Sequence, residues 1–263
     1  MKENQDYKNE GLAALKVHWP QAVLATLVVA LLGCVCTLPY IIWAVKTAAI
    51  GSDPTDLQAA LAYMGGMYRN LFVSYALIFL IVGPLVVGLV NAFKELLFSQ
   101  DGKILSNSFR IGYGSYWRHM WGFLLKNIFI FLWSLLFVIP GIIKQLSYAM
   151  TNYILVDHPE LSANQAINRS KDMMYGHKFD LFYLYLSFVG WFLLSILTLG
   201  IGILWFYPYV EAAQASFYRD VRDDYERRMN AASAQPAPAA AQPPVAPTVS
   251  RTEDPEDYMP KSE

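Results

Sequence analysis

Glu211 is the residue of this chain whose setting asks most for a chemical explanation. It stands nine residues past Gly202 in a stretch of apolar and aromatic side chains. Nine residues of helix rise about 14 Å. An ionisable group at that depth in a bilayer is costly, so it is a site by default. Its carboxyl must be neutral, or paired inside the protein. Asn152 lies eleven residues past Gly141, at similar depth, and Tyr148 and Tyr209 lie about one turn nearer those glycines. We expect Glu211, Asn152, Tyr148 and Tyr209 to meet in one polar cluster. Such a cluster either binds a ligand or joins helix to helix with no ligand at all. Lys126 and Lys144 also fall within apolar segments. Their long stems are expected to snorkel to headgroups.

A second group is cationic. Arg169, Lys171, His177 and Lys178 share one polar connection and suit anionic lipid headgroups, at roughly 1 kcal/mol for each cation near the surface. The same charges also fit an ordinary basic loop. No phosphate-binding G-x-x-x-x-G-K-[ST], no H-E-x-x-H and no G-x-S-x-G occurs, so no enzyme is expected. His18, His119, His158 and His177 are far apart in sequence. Asp157-His158-Pro159-Glu160 is expected to be a helix exit rather than a metal site. Cys34 and Cys36 sit inside the first apolar span with no other soft ligand at that depth. Leu31-Leu32-Gly33-Cys34 loosely resembles a lipidation site. The acids Glu3, Asp6 and Glu10 before it are wrong for a signal segment, and the apolar run continues past it. No metal and no cofactor are expected.

The elements that must position these residues are apolar spans. Hydrophobic residues make up 55% of the 263 and charged residues 16%, with a mean hydropathy of +0.30. A soluble domain carries about 25% charged residues. Spans are expected at about 21–45, 71–93, 117–139, 142–156, 181–199 and 201–218. Sixteen of the twenty Lys and Arg fall before the first span, after the sixth, or in alternate connections, leaving only Lys46 and Arg69 in the others. Excess Lys and Arg mark cytoplasmic segments, which puts both ends inside. The short fourth span must then cross, or Arg169, Lys171 and Lys178 would face outward. The expected fold is all-α: a polytopic membrane protein of about six transmembrane helices with short interfacial amphipathic helices. Residues 1–20 form a cytoplasmic interfacial segment, 21–230 the membrane domain, and 231–263 a disordered Pro/Ala-rich tail. A net charge of −1 and the lack of any basic stripe give no nucleic-acid partner.

Two finer features follow. Asp53-Pro54-Thr55-Asp56 is a helix start, with Leu57, Ala60, Leu61 and Met64 on one face and Gly65-Gly66 as its end. Ser162-x-x-Gln165 is a capping box for a second amphipathic helix. Either helix can lie flat on lipid or pack on the bundle. A shift of 61 residues also puts Gly141 on Gly202, Tyr148 on Tyr209, Phe131 on Phe192 and Leu136 on Leu197, a possible repeated hairpin.

From about Leu12 to Asp220 the chain resembles a family of bacterial integral-membrane proteins defined only as a domain of unknown function. The residues that carry the likeness are Ile139-Pro140-Gly141-Ile142-Ile143-Lys144, Leu146-Ser147-Tyr148-x-Met150, Ser170-Lys171-x-Met173-Met174-x-Gly176-His177-Lys178, and Leu197-Thr198-Leu199-Gly200-Ile201-Gly202. Leu15-Lys16-x-x-Trp19 is similar to the family's start, with Val17 in place of the usual glycine. The resemblance implies a multi-span protein of the bacterial inner membrane and no assigned activity. The chain also looks distantly like the membrane region joined to some bacterial glycerophosphodiester phosphodiesterases, without their catalytic domain. The expected function is a non-enzymatic module that binds membrane lipids or partner proteins. A small-molecule or ion transporter is the alternative, and a membrane-embedded lipid-modifying enzyme the third reading.

Overall fold

A backbone surrounded by apolar side chains has no water to bond, so it satisfies its amides internally, as helix. The structure, a computed structural model, describes residues 2–50 and 57–234. Among these, all the regular structure is helical. The order is α1 (Asn4–Leu15), α2 (Trp19–Ile50), α3 (Leu57–Leu77), a π turn at Ile78–Val82, α4 (Gly83–Ser99), α5 (Ile104–Gly114) and α6 (Tyr116–Leu136). There follow α7 (Val138–Ser147), α8 (Thr151–Asp157), α9 (Ala163–Met173), α10 (Lys178–Leu186), α11 (Val189–Leu197) and α12 (Ile203–Ala234). Residues up to Tyr225 form one unit. Residues 226–263 form another, described only through Ala234, the end of α12. Positions 231–234, expected to begin the tail, are still helical, and the rest of the tail lies outside the described residues.

Among the described residues four helices are long and apolar enough to cross a membrane: Trp19–Ala48, Leu57–Ser99, Tyr116–Leu136 and Lys178–Leu197. They contain the expected spans one and two and all but the last two or three residues of spans three and five. The expected span six is the first half of α12. The expected span four is two short helices, α7 and α8, separated by an irregular turn at Tyr148–Met150. A break among apolar side chains frees carbonyls that must be met. Here the Ser170 hydroxyl donates to the Ser147 carbonyl at 2.9 Å.

Two expected boundaries move. Gly65-Gly66 does not end a helix, because α3 runs through both. The missing side chain of Gly66 makes room for Trp43 of α2: a Cβ there would lie 2.6 Å from the indole nitrogen. The start expected at Asp53–Asp56 lies outside the described residues. The Ser162 capping box is present, with Gln165 N donating to Ser162 Oγ at 3.3 Å and Ser162 N to Gln165 Oε1 at 2.8 Å. The helix it opens, α9, buries Ala163, Ala166, Ile167, Ser170 and Met173 against the bundle, so it packs rather than lying flat on lipid.

The hairpins offset by 61 residues are built alike. Ser134 donates to the Ile130 carbonyl and Ser195 to the Trp191 carbonyl, each at 2.8 Å. Gly141 closes on Ser134 and Gly202 on Ser195; added side chains would lie 3.1 and 2.8 Å from the two serine Cα atoms. The second turn alone uses left-handed backbone, at Leu199 (φ 54°) and Gly200 (φ 84°).

Small residues set the closest approaches. A Cβ on Gly88 of α4 would collide with the Ser108 carbonyl of α5 and lie 2.7 Å from the Gly112 nitrogen. On α12, Ala212, Ala213, Ala215 and Ser216 are fully buried. Against them lies α1, whose Gly11 would place a Cβ 2.9 Å from the Ala213 nitrogen. Charges lock this contact. Glu10 accepts from Lys2 Nζ at 2.6 Å and from Ser216 and Arg219, while the Tyr7 hydroxyl donates to Asp220 at 3.1 Å. Burial alone would raise the Glu10 carboxyl, but hydrogen bonds from Lys2 and Ser216 and the Arg219 charge outweigh it and hold it below its ordinary value.

Two predictions follow from this packing. Gly88→Ala is expected to cost about 1–3 kcal/mol through overpacking against backbone. Gly33→Ala, whose Cβ meets nothing within 4 Å, should gain about 0.5–1 kcal/mol of helix propensity. Thermal unfolding in detergent reads both. For Glu10 the depressed value means that its contribution is present above the ordinary glutamate value of 4.5 and is lost as pH falls below it. The loss of Tm on acidification through that range should be smaller in Glu10→Gln than in the parent.

Candidate functional site: a polar cavity around Glu211

On a helix each residue turns about 100°, so positions four apart share a face and positions two apart do not. Tyr148, in the α7–α8 turn, and Asn152, on α8, both reach one cavity. Tyr207 and Glu211, four apart, share a face of α12 with Gln214. Tyr209, two residues from Glu211, turns away. These faces meet those of α4, α6 and α10 around a cavity of about 220 Å³. Its walls include Lys126, Gln145, Tyr148, Asn152, Tyr207 and Glu211.

Three of the four residues expected to cluster therefore do share one cavity: Glu211, Asn152 and Tyr148. Tyr209 does not. It lines a separate apolar pocket of about 440 Å³ with Trp19, Trp191 and Trp205, packing on Phe188 with ring centroids 4.9 Å apart. Depth along the helix was the right coordinate for Glu211 but not for Tyr209, whose angle sets its surroundings. The same angular argument picks out Tyr207 and Gln214, which depth alone passes over.

Lys126 corrects a second expectation. It does not snorkel outward. Its Nζ donates to Asn152 Oδ1 at 2.9 Å and lies 5.5 Å from the centre of the Phe123 ring. Asn152 is held in turn, since Asn91 Nδ2 donates to its carbonyl at 2.8 Å. Lys144 lies over the Trp133 ring at 4.2 Å. On the far wall the Tyr185 hydroxyl donates to Gln214 Oε1 at 2.7 Å, and Tyr207 lines the cavity beside Glu211.

Glu211 is 9% exposed, and its Oε2 has no hydrogen-bond partner. Lys126 is close enough for its charge to act on Glu211, yet among the described residues no ion pair within 4.0 Å joins the two. Among the described residues six buried side-chain atoms lack a hydrogen bond, and of these Glu211 Oε2 alone belongs to a residue that lines the cavity. An orphaned buried polar atom is rare in folded chains, and one on a cavity wall marks a place where a bound molecule or water completes the bonding.

The other expected sites are less open. His177 is engaged, its Nδ1 3.3 Å from Asp180 and its Nε2 3.1 Å from Asp224. Arg169 lies over the Tyr225 ring at 5.4 Å. Lys171 and Lys178 are half-buried. The basic loop thus offers headgroups fewer free cations than its sequence suggests. A pocket of about 400 Å³ beside α1 is lined by Glu10, His18, Gln100 and Arg219, but its acid and its guanidinium are already paired with each other. Among the described residues no cluster of three or more His, Cys, Asp or Glu is set to hold a metal.

The two walls should respond differently to mutation. Asn152→Leu takes the hydrogen-bond acceptor from the half-buried Lys126 ammonium and is expected to destabilise the protein by about 2 kcal/mol. Glu211→Gln keeps an acceptor beside Tyr207 and removes an unpaired carboxylate oxygen, so it should be at least as stable as the parent. Thermal unfolding in detergent separates the two, and a large loss in Glu211→Gln would make that carboxylate structural.

Residues 135–225 match the model of a protein family described as "Protein of unknown function (DUF975)". The match covers Tyr148, Asn152, Tyr207 and Glu211, but begins after Lys126. No curated protein and no solved structure matches the chain.

Proposed function

We propose that this chain is a non-enzymatic integral membrane protein that binds a small polar ligand in the Glu211 cavity. The observation that carries the reading is the unpartnered Glu211 carboxylate oxygen on the wall of a polar cavity between apolar helices. A helix bundle gains nothing from burying an unsatisfied acid, and removing such a group usually stabilises a fold. A ligand that completes its bonding supplies the compensation. The cavity has an opening, since Gln145 on its rim is exposed and Lys126 is half-buried. The setting is a cytoplasmic membrane of bacterial type with both chain ends inside, as the Lys/Arg sorting and the family resemblance imply. Membrane lipids are its constant partners, and protein partners remain compatible with this arrangement.

A carrier is the second reading, favoured by a specific observation. The paired hairpins, the π turn and the α7–α8 break are the irregularities expected where helix packing rearranges around a central site.

Cysteine accessibility tests the main reading. In a background with Cys34 and Cys36 replaced by alanine, Gln145→Cys and Tyr148→Cys should react with a small, charged thiol reagent. Ile143→Cys, on the outer apolar surface, should not. An unreactive Tyr148→Cys would mean a sealed core and would sink the reading. For the carrier, Glu211→Gln should abolish solute flux into proteoliposomes that the parent supports.

A further inference from the structure

We infer that the ligand of the Glu211 cavity is a small zwitterion, with an ammonium and an anionic group on one molecule, presented either free or as a lipid headgroup. This rests on the reading of the cavity as a ligand site and specifies its chemistry.

The walls carry one charge of each sign, held apart. The acid stands on α12, where Tyr207 and Tyr185 line the same space. A carboxylate beside tyrosine rings suits an ammonium group, through a charge-assisted hydrogen bond and the electron-rich ring faces. The base stands on α6, with the amides of Asn127, Gln145 and Asn152 around it. Asn152 takes one hydrogen bond from the ammonium. An ammonium has three protons, so two donors remain for an anion. No ion pair within 4.0 Å joins acid and base, and a molecule carrying both charges would bridge them.

Ligands with other charge patterns serve the cavity less well. A simple cation compensates Glu211 and leaves Lys126 desolvated without an anion. A simple anion does the reverse. An uncharged solute offers hydrogen bonds but compensates neither charge, and a buried charge needs a partner. Size sets a further limit. About 220 Å³ is below the roughly 300–1,000 Å³ of sites for drug-sized ligands. The molecule, or the part of it that enters, is therefore of amino-acid dimensions. The opening lies beside Lys126 of α6 and Gln145 of α7, and a headgroup and a free solute present the same charges to it.

The test uses the purified full-length chain in detergent, with equilibrium binding and thermal shift as readouts. The probes are glycine, glycine betaine and glycerophosphoethanolamine, with choline, acetate and glycerol as partial mimics. At least one zwitterion should bind at least tenfold more tightly than any partial mimic. Glu211→Gln and Lys126→Gln should each weaken it about tenfold, and the Lys126 variant keeps a donor for Asn152, so folding is retained. Nanodiscs of phosphatidylethanolamine and of phosphatidylglycerol distinguish the sources. If the free zwitterions are weak but phosphatidylethanolamine alone stabilises the parent and neither variant, the ligand is the headgroup and the inference stands. Choline or glycerol binding as tightly as the zwitterions, or a Lys126→Gln variant with unchanged affinity, overturns the zwitterion and leaves a ligand site. If no probe and no lipid binds while Tyr148→Cys is reactive, the zwitterion fails although the cavity is open. An unreactive Tyr148→Cys removes the ligand site itself.

Discussion

Between these helices a polar atom has only protein to bond to, and this shortage governs which side chains remain available. Most short polar residues donate to a carbonyl one turn back in their own helix. Thr26 bonds Ala22, Asn70 bonds Gly66, Asn91 bonds Val87, Ser108 bonds Ile104, Asn127 bonds Phe123, and Ser147 bonds Ile143. Arg118 does the same work at longer range, donating to the carbonyls of Leu155, His158 and Leu161 where α8 gives way to α9. Donors used in this way are already committed, and only the acceptors beside them are left for a ligand. Glu211 cannot satisfy itself so, because a carboxylate accepts and a helix interior offers no free N–H. The cavity is where local bonding is exhausted.

The same shortage explains what was legible in the sequence. Helices were legible because apolar residues in long runs leave the backbone no alternative. Glu211 and Asn152 were legible as a pair because rise per residue converts sequence distance into depth. Lys126 was not, because a lysine has the reach to go either way, and only the position of Asn152 on another helix decides. Tyr209 was misplaced because depth without angle cannot tell one face of α12 from the other. The continuity of α3 through Gly65-Gly66 was hidden for a similar reason. A glycine pair ends a helix in water, but here the missing side chain of Gly66 is a place for the Trp43 indole ring to pack.

Packing by small residues and pairing of charge cooperate at one further place. The buried Ala and Ser face of α12 lets α1 lie close enough for Gly11 to touch backbone. That approach brings Glu10 within reach of Arg219 and Ser216, and Lys8 within 3.0 Å of the Ser187 carbonyl beyond α10. Deeper in the bundle Asp157 joins Lys94 of α4 to Tyr218 of α12, whose ring stacks on Tyr153 at 4.5 Å. Both sets fix α12 on the C-terminal side of Glu211. The helix that carries the acid is therefore anchored below it, and the cavity wall inherits that rigidity.

The 43 residues of Leu57–Ser99 make a rod of roughly 65 Å, and a hydrocarbon slab is about 30 Å thick. Only part of the rod can lie in the slab. α4 is the part gripped by the bundle, while α3 pairs with α2 and shows Leu61, Tyr68 and Phe72 on its outer side. The join between the two is the π turn, where the Tyr113 and Tyr116 hydroxyls donate to the Ile81 and Leu80 carbonyls at 2.7 and 2.9 Å. Mechanically this is a long arm and a short arm meeting at a braced elbow. The short arm carries Val86 and Val90, which line the Glu211 cavity. A torque applied to the long arm is delivered across the elbow to that wall.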